Sequence, residues 1–158
     1  MSMRVTSRRI MLLSGACAIG ATALVPDLVN ARAVTEVNVK SETTIREYYA
    51  AWERKDWDSL NALLATDFTF SSAAGDDHIP VSAYKAQCWD TQSQHIERFD
   101  LLRVLAIGSD AFVMYTCHTT RGTTFRNVEY FRMRDDKVNA VECYFGSVAG
   151  YPTAADNK

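Results

Sequence analysis

The chain has 158 residues, 47% of them hydrophobic and 23% charged, with 17 basic and 19 acidic side chains and a net charge of -2. That balance suits a soluble globular class and offers no basic face for nucleic acid. No internal repeat or low-complexity tract interrupts it.

The first 33 residues read as an export leader. Ser7-Arg8-Arg9-Ile10-Met11-Leu12-Leu13 resembles the twin-arginine motif, in which two arginines precede hydrophobic residues. Residues 10–25 are apolar but rich in Ala and Gly, too short and too mild for a spanning helix. Ala31-Arg32-Ala33 supplies small residues for cleavage, so Val34 begins the mature protein, periplasmic or secreted. An ordinary secretory signal, an uncleaved anchor and a lipoprotein acylated at Cys17 are the alternatives. Taking away Arg4, Arg8, Arg9, Arg32 and Asp27 leaves 13 basic and 18 acidic residues. About 125 residues remain, enough for one domain with a real core. Cys88, Cys117 and Cys143 survive cleavage, an odd count that leaves at least one unpaired.

In chain order, residues 34–40 read as a loose lead-in, and Ser41-Glu42-Thr43-Thr44 as a helix start. Ile45, Tyr48, Tyr49 and Trp52 form one helical stripe. Lys55-Asp56 breaks it, and Asp56 caps a second helix through Leu60, Leu63 and Leu64. Residues 66–72 alternate as a strand, 73–78 form a polar loop, and Pro80 opens a third helix reaching about Asp90. Four strands follow, over 96–107, 111–120, 125–134 and 138–145, the first long enough to need a bulge. Their short turns impose an antiparallel meander. Residues after Gly146 read as a mobile tail. Helices first and a meander after them give an α+β domain, a long curved sheet wrapped around the helices as a cone open at one end.

Several segments are similar to nuclear transport factor 2-like domains, including SnoaL-like polyketide cyclases and ketosteroid isomerases. They are Tyr48-Tyr49-Ala50-Ala51-Trp52, Lys55-Asp56-Trp57-Asp58, Leu63-Leu64-Ala65-Thr66-Asp67-Phe68, Glu129-Tyr130-Phe131 and Glu142-Cys143-Tyr144-Phe145-Gly146. The likeness spans about residues 43–146 and implies the cone fold. The fold hosts isomerases, cyclases, dehydratases, epoxide hydrolases and non-catalytic binding domains, so it does not name a reaction. Aligned with ketosteroid isomerases, Tyr48 falls on the tyrosine and Glu129 near the acid that hold the enolate oxygen. The proton-abstracting aspartate falls near Ser72, which departs from the pattern. Residues 68–89 resemble an uncharacterised bacterial branch of the superfamily.

Glu129 is the most informative residue. Phe125, Asn127, Glu129, Phe131 and Met133 share one strand face, so a carboxylate sits on an apolar surface. It either pairs with Arg98, Arg103 or Asn127, or lines a pocket with its pKa raised. The catalytic candidates are Glu129 with Tyr48 as oxyanion holders and Asp77 with His78 as proton carriers, with Asp76 also on that loop. Tyr49, Trp52, Trp89, Asn127, His118 and Phe131 are the candidate ligand contacts. Cys88 beside Trp89 reads as packing. The three histidines match no metal-ligand spacing, and no phosphate loop or redox motif calls for a cofactor. The expected partners are a small hydrophobic molecule and a second copy of the chain, docked through the outer sheet face. Val128, Tyr130, Val141 and Phe145 are candidates for that contact. Three readings stay open: a cofactor-free acid-base enzyme, a binding domain without turnover, and a protein-recruiting sheet.

Overall fold

The structure, a computed structural model, describes residues 25–145, with side chains from residue 31 onward. The twin-arginine motif, most of the rest of the leader, and the expected tail lie outside the described residues. Helix α1 spans Val25–Arg54 and α2 spans Trp57–Leu63; strand β1 is Leu64–Ser72 and β2 is Ile79–Pro80. A composite third helix follows: α3, Val81–Tyr84, then a π-helical turn Lys85–Trp89, then α4, Asp90–Gln92, and a 3-10 turn Ser93–His95. Strands β3, Ile96–Ile107, β4, Asp110–Thr119, β5, Thr124–Arg134, and β6, Lys137–Tyr144, complete the chain. No described helix is long and apolar enough to cross a membrane.

The stripe of Ile45, Tyr48, Tyr49 and Trp52 is buried, so α1 lies with that face on the sheet. Its start differs from the expected lead-in: residues 34–40 are helical, and Ser41 is an interior residue rather than a cap. Residues 34–40 hold no Gly or Pro, and Thr35 and Thr43 donate back to the carbonyls of Ala31 and Val39, both at 2.9 Å. Asn38 also accepts from the Gly108 amide at 2.8 Å, which ties the extension to the β3–β4 turn. Lys55, in the left-handed region at φ 60°, ends α1. Asp56 then caps α2, accepting from the Ser59 amide at 3.0 Å.

The six strands form one curved, open sheet in the order β2-β1-β6-β5-β4-β3. The meander β3 to β6 is antiparallel as expected, while β1 joins β6 in parallel, a pairing between distant segments that short-range patterning does not reveal. Register shifts in β3 between Ile96 and Arg98 and between Leu101 and Arg103 supply the anticipated bulges and bend the sheet. Asp135 and Asp136 both adopt positive φ, 50° and 63°, and close the β5–β6 hairpin tightly.

The concave face carries the core. On β5 the burial alternates along the expected five residues, Phe125 to Met133. Phe131 is fully buried, its ring 5.3 Å from that of Tyr48 and 6.0 Å from that of Tyr49. It is therefore a wedge between α1 and the sheet and does not border the cavity described below, where it was expected as a ligand contact. Phe131→Ala should cost about 3–5 kcal/mol in urea unfolding, because it opens a cavity beneath α1; a loss under 1 kcal/mol would contradict this packing.

Candidate functional site

Between the helices and the concave face lies a cavity of about 220 Å³. Alternation on β5 sends Asn127 and Glu129 into its wall, and Glu129 is only 8% exposed. Each carboxylate oxygen has its own donor. The Tyr49 hydroxyl, from α1, donates to Oε2 at 2.6 Å, and the Tyr115 hydroxyl, from β4, donates to Oε1 at 2.9 Å. The Asn127 amide then donates to the Tyr115 oxygen at 2.8 Å and to the Cys143 sulfur at 3.2 Å. Tyr115 spends its proton on Glu129, so toward Asn127 it only accepts; this fixes which end of the carboxamide faces it.

Neither expected cation pairs with Glu129. Arg98 contacts Glu97, Asp100 and His118, and Arg103 donates to the Leu102 carbonyl. Burial therefore raises the Glu129 pKa above its ordinary 4.5, opposed by the hydrogen bonds from Tyr49, Tyr115 and Cys143.

Tyr48 also lines the cavity, but its hydroxyl bonds to that of Tyr84, not to Glu129. Burial, then the Glu129 charge, raise the Tyr48 pKa, while hydrogen bonds with Tyr84 and Trp52 pull it down. Two hydroxyl hydrogens meet in this pair and one bond uses one of them, so one remains to donate.

Asp77 and His78 are brought together, Nδ1 to Oδ1 at 2.5 Å, yet stand 85% and 71% exposed on the loop and do not line the cavity. Asp76 does line it. The Ser72 hydroxyl donates to the Asp76 carboxylate at 2.5 Å, and the Ser72 amide donates to its carbonyl at 3.0 Å. Ser72, opposite the strand residue Cys143 that faces Glu129, thus brings a carboxylate to the rim by tethering its neighbour.

Trp52 is a wall residue; Trp89 is buried 4.6 Å from it, outside the cavity lining. The wider π turn sends Cys88 to the cavity instead. Burial, then the charges of Asp76 and Glu129, push the Cys88 thiol up to about 12, which leaves it without thiolate character. His118 lies on the other face of β4 and pairs with Asp100 at 2.6 Å. Among the described residues no group of His, Cys, Asp and Glu is arranged to hold a metal ion. Sequence reasoning missed Tyr115 and Tyr84. The alternation of Val113, Tyr115 and Cys117 carried the first signal; nothing local marked the second.

A family model described as a SnoaL-like domain matches residues 45–141. The fold is shared with solved structures of low sequence identity. A candidate polyketide cyclase from Xanthomonas campestris is 21% identical, with 69% of this chain and 92% of that one covered and a TM-score of 0.58. A candidate ketosteroid isomerase from Kribbella flavida is 17% identical, with coverage of 76% and 87% and a TM-score of 0.61. An LEH-like epoxide hydrolase from M. tuberculosis is 17% identical, with coverage of 72% and 87% and a TM-score of 0.60. No curated protein matches the sequence.

The raised Glu129 pKa sets a sign for stability. Between pH 4.5 and the higher folded value, the native state holds a proton that the unfolded chain has released. This contribution is full below pH 4.5 and disappears as pH rises through the folded value. Urea titrations of wild type and Glu129→Gln should therefore diverge against the wild type as pH rises from 4.5; parallel curves would contradict the shift.

Proposed function

The chain belongs to the SnoaL-like domain family, and on that premise we propose that its cavity is the centre of a cofactor-free acid-base catalyst for a small, largely apolar carbonyl compound. One observation carries the reading: a carboxylate without a cation, in an aromatic cavity, oriented by two tyrosine hydroxyls. Such a group is a good proton acceptor, because desolvation raises its basicity toward neutral pH.

Glu129 takes a proton from the carbon beside the substrate carbonyl, and the C–H electron pair moves onto the carbonyl oxygen. The spare hydrogen of the Tyr48–Tyr84 pair bonds that oxygen as its charge grows. Return of the proton from Glu129 to a different carbon completes an isomerisation with no net gain or loss of atoms. Tyr49 and Tyr115 are positioning residues. Asp76, held by Ser72, replaces Asp77 and His78 as the second carboxylate available to the cavity.

A binding domain without turnover is the second reading, favoured by Ser72 where the isomerase-like pattern has its base. Two further inferences accompany the first. The leader directs export through its Arg8-Arg9 motif, and two copies associate through the convex sheet face. There Met114, Val128 and Tyr144 are cross-strand neighbours and exposed, beside exposed Phe112. Tyr130 lies on that side too, whereas Val141 is buried in the core and Phe145 lines the cavity.

Deuterium exchange into 3-cyclohexenone, followed by NMR, tests the catalytic reading. Glu129→Gln should slow exchange by about 10²- to 10⁴-fold, and Tyr48→Phe by a smaller factor. Tyr49→Phe should move the acid-side inflection of the pH profile upward, since it removes a donor to the ionised carboxylate. Exchange unaffected by Glu129→Gln would falsify the proposal. For the pairing of copies, Val128→Glu should reduce the sedimenting mass to that of one chain; an unchanged dimer would contradict the sheet-face contact.

A further inference from the structure

We propose that the cavity selects an organic cation: a one- or two-ring amine whose ammonium group sits at the rim against Asp76 while its apolar body enters the aromatic wall. This rests on the cavity being the substrate site, and it names the class of molecule that site takes.

The first support is the lining. Nine aromatic residues border the cavity, and its charged residues are Asp76 and Glu129; no Lys, Arg or His is among them. An anion entering this space meets two carboxylates and no counter-charge. A cation meets two acids and a wall of aromatic rings, whose π faces attract it. The electrostatic pattern agrees: the charge of Glu129 raises the pKa of Tyr48, Tyr49, Tyr84, Cys88 and Cys143 alike.

The second support is the balance of donors and acceptors. The hydrogens of Tyr49 and Tyr115 are committed to Glu129, and the Asn127 amide is committed to Tyr115 and Cys143. The Tyr48–Tyr84 pair keeps one hydrogen for a ligand, while the ionised side chains of Asp76 and Glu129 only accept. The Asn127 carboxamide oxygen, enclosed within the wall, has no partner among the described residues. A ligand whose polar group is an N–H donor complements these two carboxylates better than one bearing acceptors alone.

The third support is geometry. Ser72, Cys143 and Glu129 lie in one row across β1, β6 and β5. The Ser72 backbone is thus two strand spacings from that of Glu129, about 10 Å, and Asp76 hangs from Ser72. Glu129 is buried and Asp76 only partly so, which places one acid deep and the other nearer the opening. One can hold the ammonium while the other reaches the reacting carbon. As to size, a dry protein cavity of about 150 Å³ admits benzene, so about 220 Å³ accommodates one or two fused rings.

Three probes with one apolar body separate charge from shape: 2-naphthylmethylamine, 2-naphthylmethanol and 2-naphthoate, titrated calorimetrically into the full chain at pH 7.5. The amine should bind at least about tenfold tighter than the alcohol, a gap of about 1.4 kcal/mol, and the carboxylate should bind weakest. Asp76→Asn should erase most of the preference for the amine and leave alcohol binding nearly unchanged. Asp76 is only partly buried, so this variant tests the inference even if Glu129→Gln fails to fold. Equal or tighter binding of the alcohol, binding of 2-naphthoate as tight as the amine, no binding by any probe, or an unchanged preference in Asp76→Asn would each overturn it. The ranking does not depend on turnover. A chain that ranks the probes as expected but exchanges no deuterium loses the catalytic reading and keeps this one.

Discussion

A buried carboxyl group with no cation beside it governs this molecule. Glu129 gains nothing from its burial in isolation; desolvation opposes the charged form, and the surroundings must offset that cost. They do so with hydroxyls drawn from separate elements, Tyr49 on α1 and Tyr115 on β4. Each hydroxyl must reach one oxygen, so the distance between helix and sheet is set by hydrogen bonds as well as by Phe131 packing under both tyrosines of α1. The curved sheet, the long helix and the site are therefore one constraint seen at three scales.

That arrangement also separates stability from chemistry. Phe131, Val113 and Val141 are fully buried and hold the sheet against the helices. Tyr48, Tyr84, Asn127 and Asp76 line the cavity. The π turn at Lys85–Trp89 lies on the boundary. It turns Cys88 toward the cavity and Trp89 toward Trp52 and Trp57, so one irregular turn serves both jobs.

Much of this was legible in the residues. Period-two alternation placed Phe125, Asn127, Glu129, Phe131 and Met133 on one face, and period-3.6 spacing placed Tyr48, Tyr49 and Trp52 on another. Both patterns are local, and burial enforces them. What stayed hidden was contact between distant segments. Adjacent tyrosines on a helix both face inward within one turn, so spacing alone could not decide that Tyr49 reaches Glu129 while Tyr48 turns to Tyr84. Nor could a loop's composition decide between Asp76 and Asp77, since the choice depends on the Ser72 hydroxyl fixing one of them. The helical start of α1 was missed for a related reason: its anchor, Asn38 to Gly108, spans 70 residues.

The position of β6 has a consequence for synthesis. This strand, last in the described chain, lies in the interior of the sheet between β1 and β5. Until it emerges from the ribosome, the nascent chain exposes two unfilled edges, one on each neighbour, and the cavity has no closed wall. Closure of the sheet accordingly waits for β6. A chain truncated before Lys137 would keep both of these edges unpaired, a template for misassociation in place of a smaller closed domain.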